Sequence, residues 1–240
     1  MNAYKKMVLK DQPANAKDKP AERSNGERFY NFNKFLVNTF SKKYKFSVNK
    51  PSEPTIYISR HLNMHAPITI LKSANFKIHP FVIHNVLSFK ECFLLFYNYT
   101  FSKKMKIPKI FAIVPAFFAS LYAPLLCRSL RPVPVYRKSA SSLFTIKKAL
   151  EFLEKDKPLL IFPDVDYFKK DGDSDIYDGF LNLDKLYYKK HSKHINFVPL
   201  IIDEKCKEIK ELAPITFFDG ENFDEQKQKV ACKIKENIFS

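Results

Sequence analysis

Residues 56–67, IYISRHLNMHAP, join a short apolar, β-rich run to two basic side chains and then to a helix-like pattern. This is how a buried strand reads when it delivers Arg60 and His61 to its own C-terminal end. Two more segments repeat the device: RPVPVYRK (131–138) ends in Arg137, and LLIFPDVD (159–166) ends in Asp164 and Asp166. NFVPLII (196–202) reads as a further buried strand. Strand-like and helical stretches alternate along most of the chain, so the fold class is α/β. In an open α/β sheet, ligands bind at the carboxyl ends of the strands. An imidazole, a guanidinium and carboxylates delivered there describe a site for an anionic substrate worked on by a general base.

Working outward, Pro51 and Pro54 break the chain before a strand at 55–59, and a short strand is expected within 79–88. FKECFLLFYNYTFSKKM (89–105) reads as a helix, and IFAIVPAFFASLYAPLLC (110–127) is a charge-free stretch of eighteen residues. Pro115, Pro124 and its limited length point to a buried or interfacial helix pair rather than a membrane crossing. Then come a strand at 132–136, a helix at 141–155, a strand at 158–162 and an acidic loop at 164–178. A helix at 179–190, the strand at 196–202, a strand near 208–217 and an amphipathic helix at 222–238 complete the order. The helix expected at 27–46, with Phe29, Phe32, Phe35, Leu36, Phe40 and Tyr44 near helical spacing, reads first as packed on the domain and second as an aromatic–basic helix on lipid.

The 240 residues are 45% apolar, enough for one sizeable core, and Trp is absent while Phe occurs 24 times. The net charge of +16 favours anionic partners, a membrane surface ahead of a nucleic acid, for which no recognised module is evident. Residues 1–27 read as a disordered basic tail without a signal-peptide core, and 28–240 as one domain. Cys92, Cys127, Cys206 and Cys232 form no CxxC pair and read as reduced, packed thiols of a cytosolic protein. His65, four residues after His61, could be combined with Asp164 and Asp166 into a metal site, but the simpler reading is a rim residue and no metal. DGDSDIYD (171–178) lacks the glycine and glutamate of a calcium loop. His79, His84, His191 and His194 have no partner pattern and read as structural.

The ordered segments resemble the lysophospholipid acyltransferase superfamily, the glycerolipid acyltransferases marked by NHxxxxD, a G-x-(I/V)-P-V-x-R strand, FPEG and a late VPV strand. YISRHLNMHAP resembles the first block with His61 on the family histidine, and RPVPVYRK the second with Arg137 on the family arginine. LLIFPDVD resembles the third, and IYDGF with NFVPLII the conserved glycine, Gly179, and the last strand. The resemblance runs over roughly residues 55–220. It implies a glycerol-phosphate-acyltransferase-like α/β domain with a mixed central sheet flanked by helices. It also implies fatty acyl transfer from acyl-CoA or acyl-carrier protein to a hydroxyl of a lysophospholipid or glycerol phosphate, in phospholipid biosynthesis. No bound cofactor is implied, and the chain would lie peripherally on the cytoplasmic face of an anionic membrane.

His61 would be the base, Asp164 the substitute for its missing carboxylate, and Arg60, Arg137, Asp166 and Gly179 the acceptor's neighbours. The departures are specific. Ala66 stands where the family has Asp, Arg60 where it has Asn, and FPDV replaces FPEG, exchanging a glycine for Val165. Asp178 stands where the family has a basic residue. A His–carboxylate pair fixes the tautomer and stabilises the imidazolium, so three outcomes follow. Asp164 or Asp166 supplies the carboxylate from another strand, or the enzyme works more slowly without it, or the chain is a lipid binder without catalysis.

Overall fold

A computed structural model of the chain describes residues 23–62, 64–136, 139–164 and 175–239. Seven strands occur among them: β1 (Lys45–Ser47), β2 (Thr55–Ile58), β3 (His79–Ile83), β4 (Val133–Val135), β5 (Leu159–Ile161), β6 (Asn196–Asp203) and β7 (Glu208–Glu211). The α-helices are α1 (Arg23–Phe40), α2 (His65–Ser73), α3 (Phe89–Leu95), α4 (Lys109–Ser129), α5 (Ser139–Leu153), α6 (Asn182–His191) and α7 (Phe223–Phe239). The protein is therefore α/β, with parallel and antiparallel pairings both present. The described residues divide into two compact units, one within 1–36 and 80–148 and the other within 37–79 and 149–240.

The second unit carries five strands in the order β1-β7-β6-β2-β5. Neighbours are parallel except β6 and β7, which are antiparallel. β2 is buried along its whole length, as a strand in the middle of a parallel sheet covered on both faces must be. Tyr57, Leu160, Val198, Leu200 and Ile209 gather with Ala66 and Ile70 of α2 into one apolar cluster. Each such side chain contributes about 1.5–3 kcal/mol by leaving water. Pro199 is tolerated inside β6 because its nitrogen, like the Phe197 N–H that binds the Ile215 carbonyl, faces away from β2, while its carbonyl still accepts the Leu212 N–H at 2.9 Å.

The first unit pairs β3 with β4 in parallel, Phe81 opposite Val133 and Ile83 opposite Val135. The expected strand at 79–88 ends at Ile83 and turns into a 3-10 helix, His84–Leu87. Ser88 caps α3 by accepting from the Glu91 amide. The expected helix 89–105 changes winding at Phe96 and continues to Lys104 as a π-helix, where Met105 N–H reaches the Thr100 carbonyl five residues back.

Two expectations change here. Residues 110–127 form one continuous helix rather than a pair, running through both Pro115 and Pro124, and α4 turns most of its large side chains outward. Likewise, α1 begins at Arg23, inside the stretch read as tail, and stops at Phe40, with β1 following at 45. Most of the acidic loop read at 164–178 lies outside the described residues.

Candidate functional site

The candidate site is built on the parallel β2–β5 pair, where Ile58 stands opposite Ile161. Three residues beyond these partners the two strands deliver His61 and Asp164, so the register places them level at the same edge. Ser59 continues the ladder by one bond, its N–H on the Ile161 carbonyl at 3.1 Å. Its buried hydroxyl ties the same point to β6 through the Leu200 carbonyl at 3.0 Å. The chain then turns sharply: Leu62 has φ 46°, a left-handed conformation that a branched side chain adopts at a cost. This turn lifts His61 out of the strand before α2 begins.

Asp164 reaches across to this turn and accepts the backbone N–H of His61 with Oδ2. Its carboxylate is 7% exposed, and burial pushes its pKa above the usual range, opposed by that N–H and by the charge of Arg60. Oδ1 is buried and has no hydrogen-bond partner among the described residues. The contact that the structure shows between His61 and Asp164 is thus to the backbone amide, a different bond from the carboxylate–imidazole pair expected from the sequence. Burial lowers the His61 pKa to about 4, which leaves the imidazole neutral at pH 7. The Phe162 ring meets it edge-on, with centroids 5.3 Å apart.

Arg60 stacks its guanidinium over Phe239, 4.8 Å from the ring centre. The chain returns to the site at 175–177: Ile176 bridges Asp164 and the Tyr177 N–H binds the Pro163 carbonyl at 2.8 Å. Gly179 follows at once in the 3-10 turn Asp178–Leu181, is exposed, and has nothing within 4 Å of where a Cβ would stand. No packing demand fixes glycine there. Arg137 and Asp166 lie outside the described residues.

Ala66, at the position of the family carboxylate, is fully buried in the apolar cluster against Tyr57, Ile70 and Leu160. Its side of α2 faces the core, so the position holds a small apolar side chain where the resemblance would put an acid.

A second His–carboxylate pair escaped the sequence reading. His65 Nε2 lies 2.6 Å from Glu204 Oε1, and Glu204 Oε2 accepts the Tyr44 hydroxyl at 2.7 Å and the Lys207 ammonium at 3.2 Å. These bonds hold the Glu204 pKa down at about 2, the Tyr44 hydroxyl contributing most. Both partners are about half exposed, so the pair is solvated. His65 was visible four residues after His61; nothing in the sequence linked it to an acid in the loop beyond β6.

Of the histidines read as structural, His194 donates through Nδ1 to the buried Asp184 carboxylate, 2.8 Å away, which also takes the Ile195 N–H at 2.7 Å. His84 approaches the Val135 carbonyl at 3.1 Å and stacks on Tyr136. No group of three or more His, Cys, Asp or Glu side chains suited to share a metal ion occurs among the described residues. In comparisons with known proteins, no family model, no curated protein and no solved structure matches this chain.

Proposed function

We propose that the chain transfers a fatty acyl group from acyl-CoA or acyl-carrier protein to a hydroxyl of a lysophospholipid or glycerol-phosphate acceptor. It would work in lipid biosynthesis at the cytoplasmic face of an anionic membrane. The observation that carries this reading is the level placement of His61 and Asp164 at the C-terminal ends of two adjacent parallel strands.

In this reading the neutral His61 imidazole takes the proton of the acceptor hydroxyl as its oxygen attacks the thioester carbonyl. The tetrahedral intermediate collapses, the C–S bond breaks, and the leaving thiolate takes the proton back from the imidazolium. Asp164 is a positioning residue: it fixes the His61 backbone, and its negative charge favours the imidazolium as it forms. Arg60 holds the acceptor's anionic group, with Gly179 beside it; the roles that the resemblance gives Arg137 and Asp166 fall on residues outside those described.

A second reading, a lipid binder of the same architecture without turnover, is favoured by two features. Ala66 faces the core, and the Asp164 contact goes to an amide. The test is turnover by purified full-length protein on a panel of acyl-CoA and acyl-carrier donors with lysophosphatidate and glycerol phosphate acceptors. His61→Ala is expected to lower the rate by 10²-fold or more, and Asp164→Asn by a smaller factor. Equal background rates in wild type and His61→Ala would refute catalysis; retained vesicle binding by both would then select the second reading.

A further inference from the structure

We infer that the first unit docks on anionic lipid by laying α4 flat in the membrane interface, apolar face down. The inference stands on that unit alone and does not require the acyl-transfer reading.

The packing of α4 is inverted relative to a helix of a water-soluble protein. The residues it buries are small: Ala112, Ala116, Ser120 and Pro124, spaced by four, and Ser129 in the last turn. The residues it exposes are large and apolar: Ile110, Phe111, Val114, Phe118 and Leu125 are each more than half exposed. A soluble helix hides its large apolar side chains. A helix that packs through small residues and shows large ones outward is arranged for an apolar surrounding. α1 lies along it, joined by the Tyr122 hydroxyl on Asn33 Oδ1 and by the Phe29–Tyr122 ring contact, and adds exposed Phe32 and Phe35.

Charge selects the occupant. From Cys92 to Leu150 the sequence has ten Lys or Arg and no Asp or Glu. Lys103, Lys104, Lys106 and Lys109 crowd the N-terminal end of α4, whose first turn contains no acid. Cations at the positive end of a helix dipole are unfavourable for the helix itself. Lipid phosphates at that end would satisfy both, and a protein partner with a neutral apolar face would not. α4 is long and apolar enough to cross a membrane, but Pro115 and Pro124 within it and its packing on α3, the 3-10 turn and the π-helix favour the in-plane placement inferred here. Arg128 is also exposed near its C-terminal end, its Nε bonded to the Leu87 carbonyl at 2.7 Å.

The chain contains no Trp, so a single introduced indole reports one position. Full-length Phe118→Trp is mixed with phosphatidylcholine vesicles with and without 30 mol% (about a third) phosphatidylglycerol. The expected result is a blue shift and quenching by lipids brominated near the headgroup, with anionic vesicles only, and no change for Leu186→Trp in the other unit. In flotation, Phe111→Gln with Phe118→Gln abolishes binding, and converting the four lysines to Gln weakens it about 600-fold, roughly fivefold per cation. Unchanged Trp emission, binding indifferent to lipid charge, or quenching strongest at the bilayer centre would each overturn the inference. So would self-association that Phe118→Gln abolishes in a protein that ignores vesicles. His61→Ala keeps the docking, so loss of turnover and loss of docking are read separately.

Discussion

His61 should resist protonation well below the pH at which a free imidazole takes up its proton. Burial places its pKa near 4 in the folded chain, against 6.5 when unfolded. At pH 5 the unfolded imidazole is almost fully protonated and the folded one about one-tenth protonated. The unfolded state then binds more protons, so stability falls as pH drops. Between pH 7 and pH 5 this single group removes about 2 kcal/mol, and the loss levels off below about pH 4, where the folded form protonates too. Asp164 and Asp184, raised by burial, act in the opposite sense at acidic pH, so the wild-type curve alone does not isolate His61. The difference between wild type and His61→Asn does. Urea unfolding of both at pH 7 and pH 5 should show wild type losing the larger amount by about 2 kcal/mol, with a His61 ring resonance flat from pH 8 to about pH 5. A resonance that titrates near 6.5, or two proteins that lose stability in parallel, would refute the buried neutral imidazole.

Other perturbations follow from the same packing. Ala66→Asp should not restore a dyad: it puts a carboxylate among Tyr57, Ile70 and Leu160 and should cost about 2–4 kcal/mol in urea unfolding. A stable Ala66→Asp protein with raised turnover would contradict that placement. Asp184→Ala orphans the Ile195 N–H and the His194 ring and should cost about 2–4 kcal/mol by the same assay. Phe197→Ala, in a fully buried place beside Phe180 and Phe217, should cost about 3–5 kcal/mol and lower the melting temperature by several degrees.

Much of the strand framework was legible because buried parallel strands leave dense apolar runs with a polar residue at the end, as at 55–61 and 159–164. His61 and Asp164 were readable as neighbours for the same reason. The target of Asp164 was not, since sequence does not distinguish a carboxylate on a ring from one on an amide a few ångströms away. Glu204 was missed because its partner Tyr44 is 160 residues distant and was read as the last member of a helix face that in fact ends at Phe40. The sequence left α4 open between a buried and an interfacial helix pair because every face of 110–127 is apolar, which leaves periodicity nothing to work with. Side-chain size was the surviving signal, small residues every fourth position from Ala112 to Pro124.

That size pattern also reverses the tolerance expected along α4. At positions 112, 116 and 120 an added methyl or two would push neighbouring helices apart, so these modest residues should be the least replaceable. The phenylalanines at 111 and 118, bulky and outward, should exchange freely with Leu, Ile or Met. A saturation scan would thus find its constrained stripe where hydrophobicity is lowest, and an alignment scored on large core residues would weight the wrong face of this helix.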